Sequence, residues 1–136
     1  MKTVALIEKG KDGKYGIYTP DLESTIIGSG ATVAEAMADF EHSLSEVRSA
    51  FAEAGEQLPD ELQDVEFEYR YDIASVFDYF DFINATRFAA RVGVNASLLR
   101  QYKAGGTYIS EKQALKIEKA LHRCGEELLS LSLLAR

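Results

Sequence analysis

Five residues in the last third of this chain have the types and spacing to contact a nucleic acid. Ala96, Ser97, Arg100, Gln101 and Lys103 fall on the outward positions of a short predicted helix, with Val94 and Leu99 as its inward apolar pegs. Arginine can grip guanine with two hydrogen bonds, glutamine can do the same to adenine, and serine can serve a base or a phosphate. Between Phe82 and Arg123 there are 8 Lys/Arg against 2 Asp/Glu, enough cations to hold a phosphate backbone. A helical bundle with a solvated basic surface would carry the same pattern without reading any base.

Other chemistry is weakly represented. His42 and His122 lie 80 positions apart. Cys124 is two residues from His122, so the two point to different faces of a helix and make a poor nucleophile–base pair. The spacing of cysteines and histidines offers no zinc site. Asp12, Asp21, Glu35 and Asp39 could be searched for a metal pair, but carboxylates crowd that whole half and read as a charged surface. Gly28-Ser29-Gly30 lacks the lysine and spacing of a phosphate-binding loop and reads as a strand-to-helix turn. No catalytic residue, metal ligand or cofactor is assigned, and the expectation is a protein that is not an enzyme.

The elements that position the five residues are capped helices. A short amphipathic helix over Ser75–Phe82 opens this half, and Asn84 caps a helix running to Val92. Ala89 lies four residues before Gly93, the small residue two helices need where they cross at a tight turn. Asn95 caps the next helix, from Ala96 through Lys103, and Gly105-Gly106 ends it. Ser110 with Gln113 launches a further helix carrying Leu115, Ile117, Ala120 and Leu121. A last helix from about Gly125 bears Leu128, Leu129, Leu131, Leu133 and Leu134, an apolar end suited to pairing with a copy of itself.

The first half differs in both pattern and charge. Thr3–Ile7 and Tyr15–Tyr18 read as strands around an Asp12-Gly13 turn, and a third strand over Thr25–Ile27 runs into Gly28 and Gly30. Val33, Met37, Phe40, Leu44, Val47 and Phe51 then recur three and four apart along one helical face, started by Thr32 and Glu35 and stopped by Gly55. From Val65 to Tyr71 the residues alternate, with Phe67, Tyr69 and Tyr71 on one side and Glu66, Glu68 and Arg70 on the other. The predicted fold class is α+β: a β-β-β-α-β sheet covered on one face by a single helix, followed by an all-α unit.

Residues 1–72 carry 6 Lys/Arg against 16 Asp/Glu, whereas residues 73–136 carry 9 against 6. An acidic half repels nucleic acid, and its open sheet face would suit a basic protein instead. One cysteine excludes an intrachain disulfide and points to the cytoplasm, and no apolar run is long enough for a membrane span.

Two stretches resemble known families. Residues 84–121 resemble the Cro/repressor-type helix-turn-helix family through Phe88-Ala89, Gly93-Val94-Asn95, Leu99, Tyr102, Gly105, Ser110, Leu115, Ile117 and Ala120-Leu121. Residues 2–54 resemble the HicB antitoxin family through Tyr15-Gly16-Ile17-Tyr18-Thr19-Pro20-Asp21-Leu22, Gly30-Ala31-Thr32 and Glu35-Ala36. Many HicB sequences continue from Pro-Asp-Leu with Pro-Gly-Cys, where this chain has Glu23-Ser24-Thr25.

The resemblance implies two domains. Residues 1–72 would be a partial ribonuclease-H-like, toxin-binding domain without nuclease activity, and residues 73–136 a helix-turn-helix DNA-binding and dimerisation domain. It implies a type II antitoxin that masks a small, basic, mRNA-cleaving HicA-like toxin and represses its own operon as a homodimer or higher oligomer on operator DNA. Helix-turn-helix readers place base contacts at positions matching Ala96, Ser97, Arg100 and Gln101, with Thr107 just beyond, while Arg87 and Lys103 suit phosphate. Toxin-contacting residues do not carry over. The alternative is a stand-alone helix-turn-helix repressor whose N-terminal domain senses something or oligomerises.

Overall fold

The period-two segments pair into one sheet, and the three-to-four-period segments form five α-helices. In the computed structural model, which describes residues 1–105 and 107–136, the strands are β1 (Lys2–Lys9), β2 (Tyr15–Tyr18), β3 (Ile27–Gly30) and β4 (Glu66–Tyr71). The helices are α1 (Val33–Glu53), α2 (Ile73–Tyr79), α3 (Ala85–Val92), α4 (Ala96–Ala104) and α5 (Glu111–Ser130). The fold is α+β, with a mixed four-stranded sheet in the order β3-β2-β1-β4. β1, β2 and β3 are antiparallel neighbours, whereas β4 lies parallel to β1, with Ala5 opposite Tyr69 and Ile7 opposite Tyr71. A parallel partner demands a crossover. Helix α1 provides it, carrying the chain from the β3 edge to the β4 edge.

Helix α1 starts where side chains satisfy its free N–H groups. Thr32 Oγ1 accepts from Glu35 N (3.1 Å), and Glu35 Oε2 accepts from Ala31 N (2.9 Å). Its inward stripe of Val33, Ala36, Phe40 and Leu44 meets Ala5, Ile7 and Ile17 of the sheet. Phe40 is fully buried and takes the Phe67 and Tyr69 rings edge-on, with centroids 5.1 and 6.2 Å away. Burial, then the charge and hydrogen bond of Glu41, push the Tyr69 phenol up to about 12.

Strand β3 lies later than the sequence predicts. The expected span was Thr25–Ile27; instead Ile26 is buried in the preceding loop, its N–H held at 2.9 Å by the buried Thr19 hydroxyl. The strand occupies Ile27–Gly30 because α1 lies directly on its two glycines. A Cβ at Gly28 would sit 2.5 Å from Phe40 N and 2.6 Å from Ala36 O. Backbone approaches backbone there, which only glycine allows. The supposed phosphate-loop glycines are packing positions.

Helix α2 starts at Ile73, two residues before the expected start, because Asp72 caps it: Oδ1 accepts from Ser75 N (2.8 Å). The same carboxylate reaches back to β1, where Oδ2 accepts from Lys9 N (2.9 Å). Six residues on, Asp78 Oδ2 accepts from Val33 N at the start of α1 (2.8 Å). Tyr79 and Phe80 stack around the Tyr71 ring of β4. So α2 is fastened to the sheet unit, and α1 is not the sole helix against it.

The opposite side of α2 feeds a second core. Ile73 and Phe77 join Phe88, Ala89, Val94, Leu99, Tyr102, Ile117 and Ala120 in a cluster separate from the one beneath α1. Helix α5 is one continuous helix through Gly125, where the sequence predicts a break and a second helix. A lone interior glycine costs a helix about 1 kcal/mol against alanine, too little to interrupt one that is well capped and packed. Leu131, Leu133 and Leu134 lie beyond its end. The expected contribution of Gly106 to the end of α4 falls outside the described residues; Gly105 caps α4. Among the described residues, no helix is long and apolar enough to cross a membrane.

Candidate nucleic-acid interface

Three side-chain caps fix the starts of α3, α4 and α5. Asn84 Oδ1 accepts from Arg87 N (3.0 Å), Asn95 Oδ1 from Leu98 N (3.1 Å) and Ser110 Oγ from Gln113 N (3.2 Å). Each cap satisfies one N–H that the helix cannot satisfy itself. Between α3 and α4 the chain reverses at Gly93, whose φ of 75° is left-handed and costs a glycine nothing. Both Gly93 N and Val94 N donate to the Ala89 carbonyl, and Lys116 Nζ of α5 donates to the Gly93 carbonyl (3.2 Å). The turn is therefore held by three hydrogen bonds, two to α3 and one from α5.

With Leu99 and Tyr102 turned into the core, α4 presents the remaining side chains outward. Ser97, Arg100, Gln101 and Lys103 are exposed, and so are Arg87 on α3 and Thr107 in the loop after α4. Ala96 is only half exposed, because its methyl packs against the second core. Arg100 Nη2 donates to Ser97 Oγ (3.2 Å), so the guanidinium lies along the outward face of α4, one turn from its own Cα. Among the described residues, the ion pairs are His42–Glu46, Arg70–Glu68 and Arg91–Glu127. None of them uses Arg87, Arg100 or Lys103. These three cations are available to an anion, and Ser97, Arg100 and Gln101 place hydrogen-bonding groups on the exposed side of α4.

Sequence reasoning passed over Tyr108. Its side chain is fully exposed beside Thr107, in the loop between α4 and α5. An aromatic ring there has no packing role inside the chain, and its exposure beside the cationic helix adds a stacking or phosphate-bonding group to this surface. A tyrosine in a loop carries no periodic signal, so only the tertiary arrangement marks it.

Three of the four carboxylates considered for a metal site do other work. Asp12 Oδ1 accepts from Lys14 N in the β1–β2 turn (3.0 Å), Glu35 caps α1, and Asp39 Oδ2 accepts from Ser29 N (2.9 Å). Among the described residues, no group of three or more His, Cys, Asp or Glu converges as a metal site. His42 is exposed and pairs with Glu46 one turn along α1 at 2.7 Å.

The sheet face away from α1 forms a second candidate surface, and it is not uniformly acidic. Cross-strand register sets Arg70, Leu6, Tyr18 and Ile27 in one row across all four strands. Val4 and Glu68 lie in the next row, so an apolar centre is flanked by carboxylates on β4. Much of the remaining negative charge of this half is exposed along α1, at Glu35, Asp39, Glu41, Glu46 and Glu53. Comparison of the chain with protein-family models, with curated proteins and with solved structures gave no match.

Proposed function

We propose that this chain is an antitoxin of HicB type: its acidic α+β half binds and masks a small, basic, mRNA-cleaving toxin, and its helical half binds operator DNA to repress the operon. The observation that carries the reading is the coincidence of charge with architecture. The excess of carboxylates belongs to the half built on the first core, and the unpaired cations stand on α3 and α4 of the second. Two surfaces of opposite sign on one chain serve two partners of opposite sign, and each charge speeds encounter with its own.

In this reading α4 enters a major groove, with Arg100 and Gln101 on base edges, Ser97 on base or phosphate, and Arg87 and Lys103 on phosphates. Arg100→Ala is expected to weaken operator binding by about 1–3 kcal/mol and to relax the preference at one base position. Lys103→Ala should weaken all sequences alike and shallow the salt dependence by about one unit of slope. Gel shifts over a series of operator variants and salt concentrations separate the two. Equal affinity and unchanged preference for Arg100→Ala would remove it from the reading set.

The antitoxin role is tested by co-expressing the chain with the small basic protein encoded beside it. Restored growth together with a complex that co-purifies is the expected outcome. A neighbour that is harmless or fails to bind would sink the toxin half of the reading.

A further inference from the structure

The two edges of the sheet are finished differently. At the β3 edge, Ser29 N donates to Asp39 Oδ2 and Ala31 N, just past the strand, donates to Glu35 Oε2, so side chains of α1 close it. The β4 edge has no such cover. Glu66 N donates to the Met1 carbonyl and Asp72 N to the Ile7 carbonyl, so the even-numbered amides face β1. By alternation the N–H and C=O groups of Phe67, Tyr69 and Tyr71 point away from the sheet, and none of the six has a hydrogen-bond partner among the described residues. An open edge is a template for another strand, which proteins commonly block with proline, a bulge or lysine. β4 has none of these, and its register against β1 runs unbroken from Glu66 to Tyr71. Helix α1 packs chiefly on β3 and β2, which leaves the edge clear. Charge is the only guard.

That charge selects the strand that fits. In an antiparallel pair outward-facing groups must meet outward-facing groups, so odd-numbered residues of β4 oppose odd-numbered residues of a second β4. Centred on Tyr69, two copies set Phe67 opposite the partner's Tyr71, and Glu68 opposite the partner's Arg70 twice over. Centred on residue 68 or 70 instead, they set Glu68 against Glu68 or Arg70 against Arg70, and like charges directly opposite repel. Within one chain Arg70 Nε lies 3.8 Å from Glu68 Oε1 with both side chains more than half exposed, so each is free to turn to a neighbouring strand. We propose that β4 is a self-complementary edge: two copies of this chain join antiparallel through residues 67–71, with Tyr69 on the two-fold axis. Two four-stranded sheets become one, and the half-buried rings of Phe67, Tyr69 and Tyr71 gain a facing row of aromatic neighbours. The contact lies wholly in the acidic half. It is separate from the pairing that the resemblance assigns to residues 73–136, and it does not depend on what α4 binds.

The test is cross-linking of the full chain in a Cys124→Ser background. Directly opposed residues outside the hydrogen-bonded pairs hold their Cα atoms about 4.5 Å apart, within disulfide reach. Chains carrying Glu68→Cys and chains carrying Arg70→Cys are oxidised mildly at about 100 µM, separately and mixed. The mixture should give covalent dimer about 10-fold faster than either variant alone, because only position 68 on one chain and 70 on the other are opposed. Faster cross-linking of either variant with itself overturns the register and with it the proposal, and no cross-link in any sample overturns it outright. Charge exchange gives a second readout by sedimentation. Glu68→Arg and Arg70→Glu chains should each associate about 10-fold more weakly than wild type and regain that loss on equal mixing, when unlike charges face each other again. Both positions are exposed, so circular dichroism should be unchanged. Single reversals that leave association intact also overturn the proposal. Neither readout involves the toxin or the operator, so failure here leaves the growth-rescue and gel-shift tests unaffected.

Discussion

Gly28→Ala is expected to destabilise the α+β half by about 3 kcal/mol or more, at the upper end of overpacking costs, from the addition of a single methyl group. The new Cβ would lie 2.5 Å from Phe40 N, 2.6 Å from Ala36 O and 2.7 Å from Phe40 Cα. All three atoms are backbone in the middle of α1, so no side chain can rotate aside. Either α1 lifts from the sheet or β3 leaves it, and both expose the first core. Gly16→Ala is the internal control. Gly16 lies in the same sheet opposite Ser29, on the face away from α1, and a Cβ there meets nothing within 4 Å. Its cost should stay within about 0.5 kcal/mol. Urea unfolding of both variants, with comparable slopes, measures the difference directly. Similar midpoints for the two would contradict the close crossing of α1 over β3.

Phe40→Ala is expected to cost about 3–5 kcal/mol, the range for emptying a buried aromatic site. Phe40 has no exposed surface and is met edge-on by Phe67 and Tyr69, and such pairs add about 0.5–1.5 kcal/mol beyond the area they bury. Total stabilities of small domains are about 5–15 kcal/mol, so this one truncation removes a large share. Because the second core contains none of these rings, the loss should fall on the near-ultraviolet signal of the sheet half first. In the antitoxin reading, the variant would also fail to rescue growth, while operator binding through α4 would persist in the cold. A midpoint shifted by less than about 1 kcal/mol would mean that Phe40 is not the keystone of the first core.

Both variants act where α1 meets the sheet, and that junction was only half legible beforehand. The three-to-four spacing from Val33 to Phe51 announced the helix, its buried side and its start at Thr32, because capping and amphipathic periodicity are local properties. The alternation from Phe67 to Tyr71 announced which side chains of β4 face the core, since a strand's faces follow from parity alone. The position of β3 was not legible. Strand propensity favours Thr25-Ile26-Ile27, but the two glycines that follow are the only residues thin enough to lie under α1. A close approach between distant segments has no signature in either segment alone.

The same division runs through the candidate interface. Asn84, Asn95 and Ser110 marked three helix starts in advance, and the outward residues of α4 followed from the inward pegs Val94 and Leu99, to which the structure adds Tyr102. Arg100 leaning on Ser97, Lys116 closing the Gly93 turn and Tyr108 standing clear beside Thr107 depend on segments brought together by the second core. The double duty of Asp72 belongs to that class as well. Its role as a helix cap is local, but its bond to Lys9 N spans 63 residues.

By itself, then, the amino-acid order determined the α+β class, the starts of α1, α3, α4 and α5, the faces of the strands and the opposition of an acidic half to a basic one. These rest on periods of two and on three-to-four spacing, on caps within four residues and on charge counts, none of which needs a distant contact. Only the tertiary structure decided that β4 runs parallel beside β1, that α1 rests on bare glycine backbone, and that α2 ties the sheet to the helical core through Asp72 and Asp78. It also decided that α5 runs unbroken into an uncovered leucine end. Those outcomes follow from close packing between residues tens of positions apart, where the fit of one surface to another, not the preference of either segment, sets the minimum of free energy.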